Sequence, residues 1–144
     1  PVLIDRATGG YRYLMIYQRR TGNGRSNLEF PAGMLDRDVD EPSKVAAREL
    51  REETGLEVPT TALSLLHPNP LYTSVGLLDE SVYFYGCRVE LDEEELLAFD
   101  KKQTGEDEGE VLTTALKTPE EIRREAGSTQ TLLGLVLAEQ WLRR

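Results

Sequence analysis

Only one cysteine, Cys87, and one histidine, His67, occur among the 144 residues. A lone thiol excludes an internal disulfide and suits a reducing, cytoplasmic compartment. His67 stands in a His-Pro-Asn-Pro stretch with no acid or nucleophile beside it, so it reads as a loop residue rather than an acid–base catalyst. Long apolar runs are also missing. Runs such as Val75 to Leu78 and Leu132 to Ala138 are far too short to span a bilayer. Positive charge is in deficit, with 17 Lys and Arg against 26 Asp and Glu, a formal −9. That balance excludes the broad basic footprint of a general nucleic-acid binder. No secretory leader is read at the start. The chain opens at Pro1 without a methionine, as a processed or cropped piece would.

What is present is a globular balance: 39% hydrophobic and 30% charged residues in a length that fits one domain over residues 1–144. Val2 to Ile4 and Tyr11 to Gln18 read as strands, the second rich in aromatic and β-branched residues. Thr21 to Asn27 reads as a glycine-bearing loop before a brief extended piece, Leu28 to Phe30. A helix is expected over Pro42 to Thr54, with proline at its first position and Gly55 just past its end. Ser81 to Leu91 reads as one strand with Gly86 as a bulge, and Asp92 to Phe99 as a short helix. Lys101 to Glu110 reads as a charged loop, Val111 to Leu116 as a strand, and Pro119 to Ala126 and Thr131 to Arg144 as two helices. Leu132, Leu133, Leu135, Val136 and Trp141 are expected to face the core. Interleaved strands and helices without repeats give an α/β or α+β domain.

On the helix Pro42 to Thr54, Glu49, Glu52 and Glu53 project at about 0°, −60° and +40°, so three carboxylates share one face. Such crowding calls for a counter-charge. A hard divalent cation would supply it, and so would Arg48 and Arg51 on an ordinary solvated helix face. A bound cation would also make an acidic protein hospitable to phosphate. The small residues of Pro31-Ala32-Gly33 lie upstream, where backbone can come close to a metal or phosphate.

Gly33 to Leu56, GMLDRDVDEPSKVAARELREETGL, resembles the Nudix box, G-x5-E-x7-R-E-U-x-E-E-x-G-U with U apolar. Arg48, Glu49, Leu50, Glu52, Glu53, Gly55 and Leu56 match its second half without a gap. The first half departs from the pattern: six residues separate Gly33 from the first acid, which is Asp40 rather than Glu. Gln18-Arg19-Arg20, Glu29-Phe30-Pro31-Ala32-Gly33, Leu71 to Glu80 and the acidic Gly105 to Val111 further resemble segments of ADP-ribose and ADP-sugar pyrophosphatases, with Val75 where those have proline.

The resemblance implies a Nudix-like α/β/α sandwich around a mixed central sheet and an enzyme of the pyrophosphatase type. It implies hydrolysis of the diphosphate bond of a nucleoside diphosphate sugar such as ADP-ribose or ADP-glucose. Mg²⁺, or Mn²⁺ in its place, would be held by the Ala32 carbonyl, Glu49, Glu52 and Glu53. Glu52, Glu53 and the late acids Glu106 and Glu108 would serve catalysis, with Glu108 favoured as the group acting on the attacking water. Arg20, Glu29, Gly33 and Ser74 would contact substrate, and Arg48 would orient the glutamates around it. Alternatives are a nucleoside triphosphate or dinucleotide hydrolase and a nucleotide-sensing domain without turnover. The expected partner is a small nucleotide sugar, with no membrane, no general nucleic-acid binding, and a homodimer allowed.

Overall fold

The computed structural model describes residues 1–35, 41–105 and 111–144. Asp40, Glu106 and Glu108 lie outside the described residues. The central element is strand β2, Tyr11–Arg20, whose aliphatic middle is buried on both faces of a six-stranded sheet. One edge of β2 pairs antiparallel first with β1, Val2–Asp5, and then with β3, Arg25–Glu29. Before α1, Pro42–Thr54, the chain leaves the sheet through Phe30 to Gly33. Two short hairpin-like pairs follow: β4, Ser64–Leu65, with β7, Tyr85–Gly86, and β5, Leu71–Tyr72, with β6, Ser81–Val82. Strand β8, Arg88–Leu91, lies parallel to β1, which makes the sheet mixed. The helix α2, Glu93–Leu97, and the strand β9, Gln103–Thr104, precede β10, Leu112–Lys117, on the other edge of β2. Helices α3, Pro119–Glu125, and α4, Thr129–Leu142, close the chain.

Alternation along the strands separates two cores. Val2, Tyr13, Met15, Leu28 and Ala115 face α3 and α4, where Ile122, Leu135 and Ala138 cover them. Leu3 and Leu14 face the other way, onto Leu50 of α1, Leu56, Cys87 and Leu96 of α2. The result is the expected α/β/α sandwich with a mixed sheet.

Four sequence expectations need correction. Ser81 to Leu91 is not one strand: the chain changes partner at each break, from β5 to β4 to β1. At Gly86 a Cβ would lie 2.8 Å from Leu66 and 3.2 Å from the Trp141 ring, so a side chain there would have to push these two aside. Residues Arg25 to Asn27 belong to β3 rather than to a loop, because the turn is completed by Gly24 at φ 66° with its N–H on the Arg20 carbonyl. Gln103 and Thr104, expected in a loop, form β9. Leu132, Leu133 and Val136 are exposed while Leu135, Leu137 and Ala138 are buried. Helix α4 is apolar on all sides, and packing against one sheet covers only one of them. Among the described residues no helix is long and apolar enough to cross a membrane.

Candidate active site

Helix α1 carries the three glutamates expected to face a cation, and both its ends follow from sequence. Pro42 opens the first turn, where its missing N–H costs nothing. At the other end Gly55 takes a left-handed φ of 76° and returns its N–H to the Arg51 carbonyl at 2.8 Å. Thr54 is fully buried; its hydroxyl donates to the Leu50 carbonyl and accepts from the Leu56 N–H at 3.1 Å. Leu56 then enters the core beside Leu50. The helix is thereby held by its apolar side, and its glutamates turn toward the loop that follows β3.

Glu53 is the buried acid of the group, 6% exposed. Its Oε2 accepts from the Ala32 N–H at 2.9 Å, across the gap between α1 and the Pro31-Ala32-Gly33 turn. A carboxylate in such a place needs a polar partner, and the backbone amide supplies one. One turn earlier, Glu49 lies against Gly33 so closely that a Cβ there would sit 2.0 Å from its carboxyl carbon. Only glycine permits that approach. Glu49 and Glu53 therefore converge from neighbouring turns on adjacent residues of one loop, Glu53 on the Ala32 N–H and Glu49 over the Gly33 backbone. Glu52 sits to the side, between Arg48, with Nε at 3.6 Å, and Arg51, with Nη2 at 3.3 Å. Arg48 also reaches Glu49 Oε1 at 2.9 Å, so one guanidinium ties two of the three glutamates.

Among the described residues, no three His, Cys, Asp or Glu side chains gather tightly enough to cage a cation by themselves. That does not count against magnesium, which keeps several waters and takes one or two carboxylates together with substrate phosphate. Two carboxylates brought against the exposed backbone of Ala32 and Gly33 fit such an open, oxygen-rich site.

Arg20 and Glu29 project from β2 and β3 on the sheet face that also carries α1, by the alternation that puts Leu14 on Leu50. They form a two-toothed pair, Nε to Oε1 at 3.1 Å and Nη2 to Oε2 at 2.7 Å. Ser74 stands at the tip of the β5–β6 hairpin, where its carbonyl accepts from Leu77 and Leu78. No hydrogen bond or ion pair among the described residues joins it to α1. His67 engages the backbone of Asn69 in its loop. Burial pushes the Cys87 thiol above its ordinary pKa, so it stays protonated and packs as an apolar group.

One feature of the site had no signal in the sequence. The Thr104 hydroxyl donates to the carbonyl of Glu53 at 2.5 Å, across 51 positions of chain. A threonine in a polar stretch of charged residues carries no mark of such a contact.

The NUDIX domain family model matches residues 2–132. Over 71 residues the chain is 45% identical to an ADP-ribose pyrophosphatase of Mycobacterium tuberculosis, covering 49% of this chain and 32% of that protein. Over 107 residues it is 37% identical to an ADP-ribose pyrophosphatase of Bacillus subtilis, covering 74% of this chain and 52% of that one. The chain thus spans between a third and about half of the length of these curated relatives. Among solved structures, an Ap4A hydrolase binary complex from C. elegans superposes with a TM-score of 0.64 over 99% of this chain and 95% of the other, at 16% identity. At that identity the likeness concerns the fold.

Proposed function

The chain belongs to the Nudix family of hydrolases, and from that premise we propose that residues 1–144 act as one catalytic domain that hydrolyses the diphosphate bond of a nucleoside diphosphate sugar, ADP-ribose or ADP-glucose. Water adds to one phosphorus, the bridging P–O bond breaks, and a nucleoside monophosphate and a sugar phosphate leave. The observation that carries this reading is the convergence of two helix carboxylates on adjacent loop residues, Glu53 on the Ala32 N–H and Glu49 over the Gly33 backbone. The two partial relatives named ADP-ribose pyrophosphatase support the substrate class.

In this reading Glu49, Glu53 and the Ala32 carbonyl would hold Mg²⁺ or Mn²⁺, with Glu52 close by. A cation held there would supply charge neutralisation of the diphosphate and acidification of water. The residues of the chain supply position. Arg48 fixes the carboxylates of Glu49 and Glu52, leaving neither to swing away from substrate. Glu53 is oriented by the Ala32 amide before any ligand arrives. Glu108, or Glu106 two positions earlier in sequence, accepts the proton of the attacking water. Arg20 receives a phosphate oxygen on its guanidinium while Glu29 holds its plane. Gly33 lets Glu49 approach the loop and borders the substrate with its exposed backbone, and Ser74 contacts the substrate from the hairpin.

The test is product analysis with Mg²⁺ and a panel of ADP-ribose, ADP-glucose, UDP-glucose and ATP. AMP released from the ADP compounds is the expected result. Preferential attack on ATP would redirect the reading to triphosphates, and binding without products would make the site a sensor. The Glu53→Gln variant is expected to lose at least about 100-fold in turnover while remaining folded, since an uncharged amide keeps the shape and removes the metal-organising charge. Near-equal rates would contradict the role of Glu53.

A further inference from the structure

We infer that Thr104 is a positioning residue that holds Glu53 in register for cation binding, an inference resting on the proposed role of Glu53. Glu53 lies in the last turn of α1, where the final four carbonyls have no partner within the helix. The Arg51 carbonyl is taken by the Gly55 N–H. The Glu53 carbonyl is taken by the Thr104 hydroxyl. At its other end the same residue places its carboxylate on the Ala32 amide. Glu53 is therefore pinned at both backbone and side chain, and the backbone pin comes from the sheet edge rather than from the helix.

The anchorage behind Thr104 is firm. Strand β9 pairs with β10 through Gln103 and Thr104 opposite Thr113 and Leu112. Just ahead of it, Lys102 exchanges two bonds with Thr114, N–H to Oγ1 at 2.9 Å and carbonyl to N–H at 2.8 Å. Thr114 is fully buried and its hydroxyl donates to the Phe99 carbonyl. On the side toward α1, the Lys102 ammonium lies over Gly55, 2.4 Å from where a Cβ would be, and so sits at the negative end of the helix. Two groups of one short segment thus grip the end of the metal-site helix. A shift of half an ångström there moves the Glu53 carboxylate by a similar amount, enough to weaken a site that depends on preset geometry.

The experiment compares the unmodified chain with Thr104→Val, Thr104→Ser and Thr104→Ala. Mn²⁺ binding is followed by electron paramagnetic resonance without substrate, AMP release from ADP-ribose is measured across Mg²⁺ concentrations, and unfolding is followed by circular dichroism. Thr104→Val, which keeps the shape and removes the donor, is expected to weaken Mn²⁺ binding and lower kcat by about 10-fold each with KM for ADP-ribose held within about twofold, and Thr104→Ser to restore both. If Thr104→Val does not fold, the Ala and Ser pair carries the same comparison. A lowered melting temperature with unchanged Mn²⁺ affinity would overturn the inference, as would a serine variant as impaired as the valine one. A parent chain that binds Mn²⁺ but releases no AMP would defeat the proposed substrate and leave the role of Thr104 standing. A parent chain that binds no Mn²⁺ would defeat both.

Discussion

Gly33 shows how much a site can depend on an atom that is missing. The carboxyl group of Glu49 occupies the space a Cβ would fill, 2.0 Å from its position. In Gly33→Ala the Glu49 side chain must withdraw, because the loop backbone is held by the bond from Ala32 to Glu53. Turnover is expected to fall by about 10- to 100-fold, with the melting temperature little changed, since neither core contains Gly33. Product assays and a thermal melt on the same preparation check both halves of that statement; a large drop in stability would relocate the effect from site to fold. Gly33 entered as a site residue through the resemblance to the Nudix box, whereas Glu49, Glu52 and Glu53 were legible as one helix face from spacing, because a helix of known period fixes which side chains lie together. Their different fates were not. Glu53 is buried on an amide while Glu52 sits between two arginines, and that depends on what lies opposite the helix.

Elements in this fold are joined by polar ties as well as by their cores. Between the sheet and α3, the Tyr17 hydroxyl donates to Glu125, and the Lys117 ammonium reaches both oxygens of the same carboxylate at 3.0 and 2.9 Å. The hydrogen bonds from Tyr17 and Lys117 hold the Glu125 carboxyl below its ordinary range. Burial, then the hydrogen bond to Glu125, raises the Tyr17 phenol. A depressed carboxylate contributes stability that is present above its unfolded pKa, near 4.5, and is lost as pH falls through the lower folded value. A raised phenol contributes stability that is present below its unfolded pKa, near 10, and is lost as pH rises toward the folded value. Glu125→Gln is therefore expected to cost about 1 kcal/mol near neutrality, and the gap to the parent chain should narrow as the medium is acidified. Urea unfolding at neutral pH and at about pH 3.5 measures it; a gap independent of pH would show that charge has no part. At this scale helix α1 was legible to the residue, since Pro42 and Gly55 act through local backbone constraints. Strands β6 to β8 were not, because an apolar β-rich run says that a strand forms without saying which neighbour each part will pair with.

Across the whole molecule, one mixed sheet separates two cores and puts α1 on one face with α3 and α4 on the other. Leu135 is buried under that second layer, and Val136, its neighbour in sequence, is 47% exposed. Leu135→Ala is expected to cost about 2–5 kcal/mol by leaving a cavity, and Val136→Ser to stay within about 0.5 kcal/mol. Denaturant unfolding of the two variants distinguishes this orientation of α4 from one in which both residues serve the core. The amino-acid order alone determined the fold class, the limits of α1 and the acidic face it presents, because these follow from helical period, strand alternation and the special backbone of proline and glycine. Tertiary structure decided which side of the apolar α4 is covered, that the run from Ser81 divides among three partners, and that Thr104 meets Glu53. Most of these are contacts between segments far apart in the chain, and a local pattern can demand a partner without naming it.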